Sequence, residues 1–389
     1  MHPETYLPKL VFTIAVASAA LFPGVVLSQQ NTPHFGRVPA APDDWLLGKG
    51  SPWFFISQPS TNPSKLTRRT PTQEEAKVVE RAKALLMNKS AKAIALIDGR
   101  TIVYLDFKSP LNTESTLMGF NLGNTVTGMA VGKAICSGHM TLNSKVGDVV
   151  PELKGKTLGT ATVHALLTMS AGTKDGGIDS TIFTPAQNEM WKNGTLNLLD
   201  VLTEERVAGA KQTLLKTYKP GEEFWYKSTD PDTLGIMINR ATRSTYAQWT
   251  TDNIFRPAGI AGPVIIGQDK FGHAQASGNV RLTMEDWIRY AAWARENANT
   301  KGCFGDYLRA SAVTQVKNLS KKSGQLFGAY GYLTWTENQY APGTYWAVGH
   351  GGQRIGWSQS NNRMIVVFSN IEDWMPELYG LFDSWSKLQ

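Results

Sequence analysis

Between Phe120 and Cys136 the chain carries one charge, Lys133, over about four helical turns, with Gly123, Gly128 and Gly132 spaced along it. A segment that apolar, with side chains removed where neighbours would press closest, reads as a buried central helix. Everything else must pack around it. Its first turn, holding Asn121, is expected to offer backbone N–H groups and the positive end of the helix dipole to whatever lies in front.

The flanks say what surrounds that helix. Thr72 followed by Glu75 is a capping box opening a helix through Ala76, Val79, Ala82 and Leu85. Two β-rich runs, Ala93 to Ile97 and Thr101 to Leu105, meet across Asp98-Gly99 as a hairpin. The middle of the chain reads as helices and long loops, with helices over Val163 to Met169, Asp232 to Ala241, Tyr246 to Phe255 and Met284 to Ala294. Strand character returns at Leu326 to Thr336, Tyr345 to Val348, Arg354 to Trp357 and Met364 to Phe368, before a helix from Met375 to Leu388. Both ends of the chain therefore complete one sheet domain, and the middle is a helical insertion. The expected division is 1–28 as a signal peptide, 29–71 as a Pro-rich aromatic arm, 72–108 with 325–389 as the sheet domain, and 109–324 as the mainly helical domain.

The signal-peptide expectation rests on Lys9, the apolar stretch Leu10 to Leu27, and Val26-Leu27-Ser28 ahead of a cut before Gln29. Pro23-Gly24 argues against retention as a membrane anchor, and no later segment holds 18 uninterrupted apolar residues. The mature chain is thus expected to be exported, periplasmic or secreted, with no membrane span. The arm carries Trp45, Trp53, Phe54 and Phe55, which are expected to pack it onto the body. Cys136 and Cys303 are the only cysteines. Export permits a bridge between them, and two buried free thiols remain the alternative.

The net charge of +7 is scattered, the densest local run being Lys65, Arg68 and Arg69, so a nucleic-acid partner is not expected. Six dispersed histidines and two cysteines make no zinc pattern, and neither a phosphate loop nor a dinucleotide fingerprint is present. No metal and no cofactor are expected.

Downstream of the central helix, Gly138 to Leu142, Val150 to Leu153 and Thr162 to Gly172 follow one another in an order that resembles the serine β-lactamase and penicillin-binding-protein superfamily. The likeness is strongest to its esterase and 6-aminohexanoate-oligomer-hydrolase branch. Trp225-Tyr226-Lys227-Ser228 resembles the family's tyrosine motif, and Val348 to Gln353 its third motif, expected on a sheet strand. The resemblance implies an α+β, β-lactamase/transpeptidase-like fold: an antiparallel sheet flanked by the N- and C-terminal helices, with a helical domain inserted between strands.

In that family the helix opens with serine and, one turn later, lysine: the serine attacks a carbonyl and the lysine assists its deprotonation. Here those positions hold Asn121 and Asn124. A carboxamide is neither an acyl-accepting nucleophile nor a base near neutral pH. Thr125 and Thr127 lie at other angles on the helix, and Ser384 with Lys387 falls in the terminal helix, outside the motif order. By resemblance Tyr226 is the phenolic acid/base with Ser228 hydrogen-bonding nearby. His350, Gly351 and Gly352 flank a ligand's backbone, and the N–H groups of Gln353 and Asn121 are oxyanion donors. Taken alone, Tyr226 also reads as a half-buried ring beside Phe224 and Trp225, and His350 as a structural histidine.

Three functions fit these residues. The first is a pseudoenzyme that keeps a site for a peptide-like, amide or ester ligand, or an envelope protein partner. The second is a hydrolase of amides, esters or β-lactams by a tyrosine-dependent route. The third is a structural envelope component.

Overall fold

The computed structural model describes residues 53–173, 185–203, 218–319 and 325–388. The expected leader and the arm as far as 52, including Trp45, lie outside them. Thr72 caps the first helix, Gln73–Asn88, as its sequence requires: its hydroxyl accepts the Glu75 N–H, and the Glu75 carboxylate accepts the Thr72 N–H at 2.8 Å. The same buried carboxylate also pairs with Arg69 and Arg363, so the capping residue ties the helix start to the sheet.

Thirteen strands among the described residues, numbered in chain order, form two sheets. The larger contains β2 (Thr67–Arg68), β3 (Ala91–Asp98), β4 (Thr101–Phe107), β8 (Val316–Lys317), β9 (Phe327–Tyr330), β10 (Trp335–Asn338), β11 (Thr344–Gly349), β12 (Gln353–Ser358) and β13 (Arg363–Ser369). Its order is β2-β4-β3-β13-β12-β11-β10-β9-β8. Every neighbouring pair is antiparallel except β2 with β4. The smaller sheet, β1-β6-β7-β5, joins Trp53–Ile56, Ile265–Gln268, Val280–Thr283 and Thr116–Met118. The aromatic end of the arm is therefore a strand, with Phe54 and Phe55 buried.

Side chains alternate across the large sheet, and both faces are covered. Trp346 on β11 points at the terminal helix, Met375–Ser386, meeting Tyr379 and Phe382 edge-on. On the opposite face Trp357 of β12 donates its indole N–H to Ala291 O of the helix Met284–Ala298. Double coverage explains why β3 and β13 are apolar almost throughout. The run from Leu326 to Thr336 is two strands, because a turn at Gly331 separates β9 from β10. A Cβ at Gly331 would come within 2.0 Å of Ser311 O.

The central helix runs from Leu122 to Cys136 and is buried along most of its length. A Cβ at Gly123 would lie 2.8 Å from the Gly278 backbone, and one at Gly132 only 2.4 Å from the Tyr307 ring. At its far end Cys136 is bonded to Cys303, the first residue of the helix Cys303–Ser311, with 5.7 Å between the Cα atoms. The alternative of two free thiols is thereby settled.

Candidate functional site

The approach to Asn121 is a sharp corner. Strand β5 ends at Met118, and Phe120 adopts a left-handed conformation with φ of 47°. For a bulky residue that conformation costs about 1–3 kcal/mol. The N–H groups of Leu122, Gly123 and Asn124 turn back to the carbonyls of Gly119, Phe120 and Asn121. Three first-turn donors are thus committed inside the corner. The Asn121 N–H makes no such bond.

Asn124 stands one turn on from Asn121. Its Nδ2 donates to the Tyr226 hydroxyl at 2.9 Å, and its Oδ1 is buried without a partner. Tyr226 stacks on Trp335 with ring centroids 5.2 Å apart and meets Tyr330 edge-on. Burial pushes its phenol well above the usual range, against the opposing influence of Arg354 and of the Asn124 hydrogen bond. It is a neutral O–H near pH 7, able to donate a hydrogen bond but not to take up a proton as phenolate. Asn121 donates its own amide to Ser277 O at 3.3 Å.

Behind this pair lie buried charges that a reading of motifs passes over. Lys227 and Asp230 pair at 2.8 Å with both side chains fully buried. Burial raises the Asp230 carboxyl, and Lys227 opposes the rise. Asp232, two residues on in the helix Thr229–Thr242, accepts the Ser277 N–H at 2.7 Å, and burial pushes its carboxyl up to about 7. Ser277 therefore links Asp232 to Asn121. The available signal was the cluster Lys227, Asp230 and Asp232 at a helix start, which ordinarily marks a solvated, acidic first turn. Ser228 is the N-cap of that helix and makes no side-chain capping bond.

Val348 to Gln353 departs from expectation in one respect. His350, Gly351 and Gly352 form the turn between β11 and β12 rather than lying on a strand. The two glycines have φ of 79° and 102°, which a β-strand does not allow. Gln353 begins β12 opposite Gly349, and its side chain donates to Ser369 O. The turn reaches the corner before Asn121: Phe120 and His350 pack edge-on at 6.3 Å, and a Cβ at Gly349 would sit 2.3 Å from Gly119 O. Asn124 and Tyr226 are thus in direct contact, the His350 turn meets Gly119 and Phe120 just ahead of Asn121, and Ser228 lies two residues beyond Tyr226.

Thr125 and Thr127 are committed elsewhere, donating to Leu333 O and Ala276 O. Among the described residues no three His, Cys, Asp or Glu side chains are grouped to hold a metal, and no helix is long and apolar enough to cross a membrane.

An antiparallel sheet covered by the two end helices, with a central helix opening beside a tyrosine and a glycine-rich turn, defines the class of β-lactamase-fold serine hydrolases. The sequence matches the beta-lactamase family over residues 87–383, and the chain belongs to that family. A putative 6-aminohexanoate-dimer hydrolase from Bacillus anthracis superposes with a TM-score of 0.66 at 19% identity, over 85% of this chain and 89% of that one. The octameric penicillin-binding protein homologue from Pyrococcus abyssi superposes at 0.57 and 19% identity, over 80% and 75%. Protein flp of Staphylococcus aureus (strain MW2) is 33% identical over 134 residues, which are 34% of this chain and 24% of that protein. The chain thus spans about a quarter of the length of that relative.

Proposed function

We propose that this chain is an exported member of the family that binds without acylating: it holds a peptide-like amide or ester ligand, or a partner protein, at the cluster of Asn121, Asn124, Tyr226 and the His350 turn. The observation that carries the reading is the Asn124 amide on the Tyr226 hydroxyl. Where the family's chemistry needs a base, this site has a hydrogen-bond donor facing a neutral phenol. Lys227, beside it in sequence, is taken up by Asp230. The Asn121 N–H and the glycine-rich turn are backbone features, which the loss of serine does not remove. Export is supported by the apolar leader and by the Cys136–Cys303 bridge, a bond typical of oxidising compartments.

The tyrosine-dependent hydrolase is supported less well, since a phenol held so far from ionisation is a poor proton acceptor. Incubating the purified mature protein with a fluorophosphonate and with a penicillin, then measuring intact mass, tests the proposal. The expected result is unmodified protein, and a stoichiometric adduct overturns it.

A further inference from the structure

The acceptor that holds the Asn121 side chain is not on the central helix. It is the carbonyl of Ser277, in the loop 275–278 between β6 and β7, which receives the Asn121 amide at 3.3 Å. This loop is pressed against the start of the helix. The Gly278 N–H closes it on Gln275 O at 3.0 Å, and the Gly278 backbone stands 2.8 Å from where a Cβ of Gly123 would lie. Wherever the loop sits, the Asn121 amide is drawn with it.

Two side chains fix the loop from beneath, both through the peptide group that joins Ala276 to Ser277. Its N–H donates to Asp232 Oδ1 at 2.7 Å, and its C=O accepts the Thr127 hydroxyl at 2.7 Å. With the Thr127 hydrogen spent there, the Tyr246 hydroxyl donates to Thr127 Oγ1, also at 2.7 Å. Asp232, Ser277, Thr127 and Tyr246 are all buried, so these bonds are shielded from bulk solvent.

Of the four, Asp232 is the one whose charge changes near neutrality. Burial pushes its carboxyl up to about 7, against the hydrogen bonds of Ser277 and Ala276. The Tyr246 phenol is raised by burial and stays neutral. Asp230 and Lys227 pair with each other at the head of the same helix, and the one charge of the central helix, Lys133, rests on the Phe304 ring. On the remaining helices packed against this one, His164 lies edge-on to Tyr332, and Asp148 and Asp200 are exposed.

We infer that Asp232 is the positioning residue for Asn121, and that its charge sets how firmly the loop holds the Asn121 amide. Ionised, Asp232 makes the Ser277 bond charge-assisted and polarises the peptide group, which strengthens the Ala276 carbonyl as an acceptor for Thr127. Protonated, it is a neutral acceptor, and the hold on the loop is looser. The Asn121 amide is therefore fixed above neutrality and released in acid. This regulation rests on the proposed binding cluster for its consequence, but its test needs no ligand.

The test follows the Ser277 amide and the Asn121 side-chain amide by 1H–15N NMR over roughly pH 5 to 9. The Ser277 proton is expected to move downfield as pH rises, and the Asn121 side-chain amide to shift with the same midpoint. Asp232→Asn, which keeps a neutral acceptor, is expected to lose both titrations. A carboxylate with only a structural role would leave Asn121 silent. Differing midpoints, no shift at Asn121, or a shared titration that survives in Asp232→Asn overturns the inference. If Asp232→Asn does not fold, the two midpoints of the native chain decide it alone. A shared titration in a protein that fails to bind N-acetyl-alanine methylamide counts against the proposed function and leaves the positioning role standing.

Discussion

The two ends of the central helix are built on opposite terms. At Cys136 the helix is bonded to Cys303, and one turn earlier Lys133 rests its ammonium 4.0 Å from the centre of the Phe304 ring. At Asn121 it begins after a left-handed phenylalanine, carries a buried amide oxygen with no partner, and leans through Ser277 on a carboxyl raised toward neutrality. One end accumulates stabilising contacts, and the other retains several local costs within one turn. Such concentrated strain is a mark of functional sites.

The largest expected effect comes from rebuilding the costly end. Asn121→Ser with Asn124→Lys places a hydroxyl and an amine one turn apart beside Tyr226, where burial depresses an ammonium toward a usable base. Covalent labelling by the fluorophosphonate and ester turnover are expected to rise at least about 100-fold over the native chain, read by intact mass and a chromogenic ester. The opposite end should respond only in stability. Replacing Cys136 and Cys303 by alanine opens a loop with a sequence separation of 167 and is expected to cost about 3–4 kcal/mol in urea unfolding. Ligand affinity at the Asn121 end should not change. A variant that loses affinity together with stability would show that the two ends are not independent.

What was legible in the sequence follows the same division. Thr72 with Glu75, Asp98-Gly99 and the glycines at 123, 128 and 132 are local signals, and each marks a feature found in the fold. The smaller sheet was not legible, because β6 and β7 are four-residue strands whose partners, Trp53–Ile56 and Thr116–Met118, lie far away in the chain. Motif order singled out Asn121, Asn124, Tyr226 and His350, and in the fold Asn124 bonds Tyr226 while His350 packs on Phe120, the residue before Asn121. Their neighbours Asp232 and Ser277 were not legible, since nothing in a sequence distinguishes a buried polar group from a solvated one.

Asp232 gives the costly end a pH signature. Its carboxyl is raised to about 7 in the folded chain, against a reference of 3.8. The folded state therefore holds a proton that the unfolded state has already lost, and stability from this group falls as pH rises from about 4 to about 7. Between pH 5 and 8 the loss amounts to roughly 2 kcal/mol. Glu75, held down by Arg69 and its other partners, acts with the opposite sign and only below its reference of 4.5, outside that window. Asp232→Asn keeps an acceptor for the Ser277 N–H and should reduce the slope of unfolding free energy between pH 5 and 8, leaving the part contributed by Asp230, whose carboxyl burial also raises, to about 6. An unchanged slope would place the titration elsewhere.

The smallest effect concerns the bond between Asn124 and Tyr226. Because Asn124 Oδ1 already lacks a partner, the asparagine carries a desolvation cost that its single hydrogen bond offsets only in part. Tyr226→Phe removes the acceptor and leaves the whole amide unsatisfied, which should destabilise by about 1–2 kcal/mol. Asn124→Leu leaves the phenol unpaired and should cost less, since the orphaned oxygen leaves with the amide. The double variant should recover to within about 0.5 kcal/mol of the native chain, giving a coupling near 1 kcal/mol. That recovery would mean the amide is kept for something other than stability. A double variant as unstable as the sum of the singles would instead make the pair an ordinary part of the packing, like the bridge at the other end.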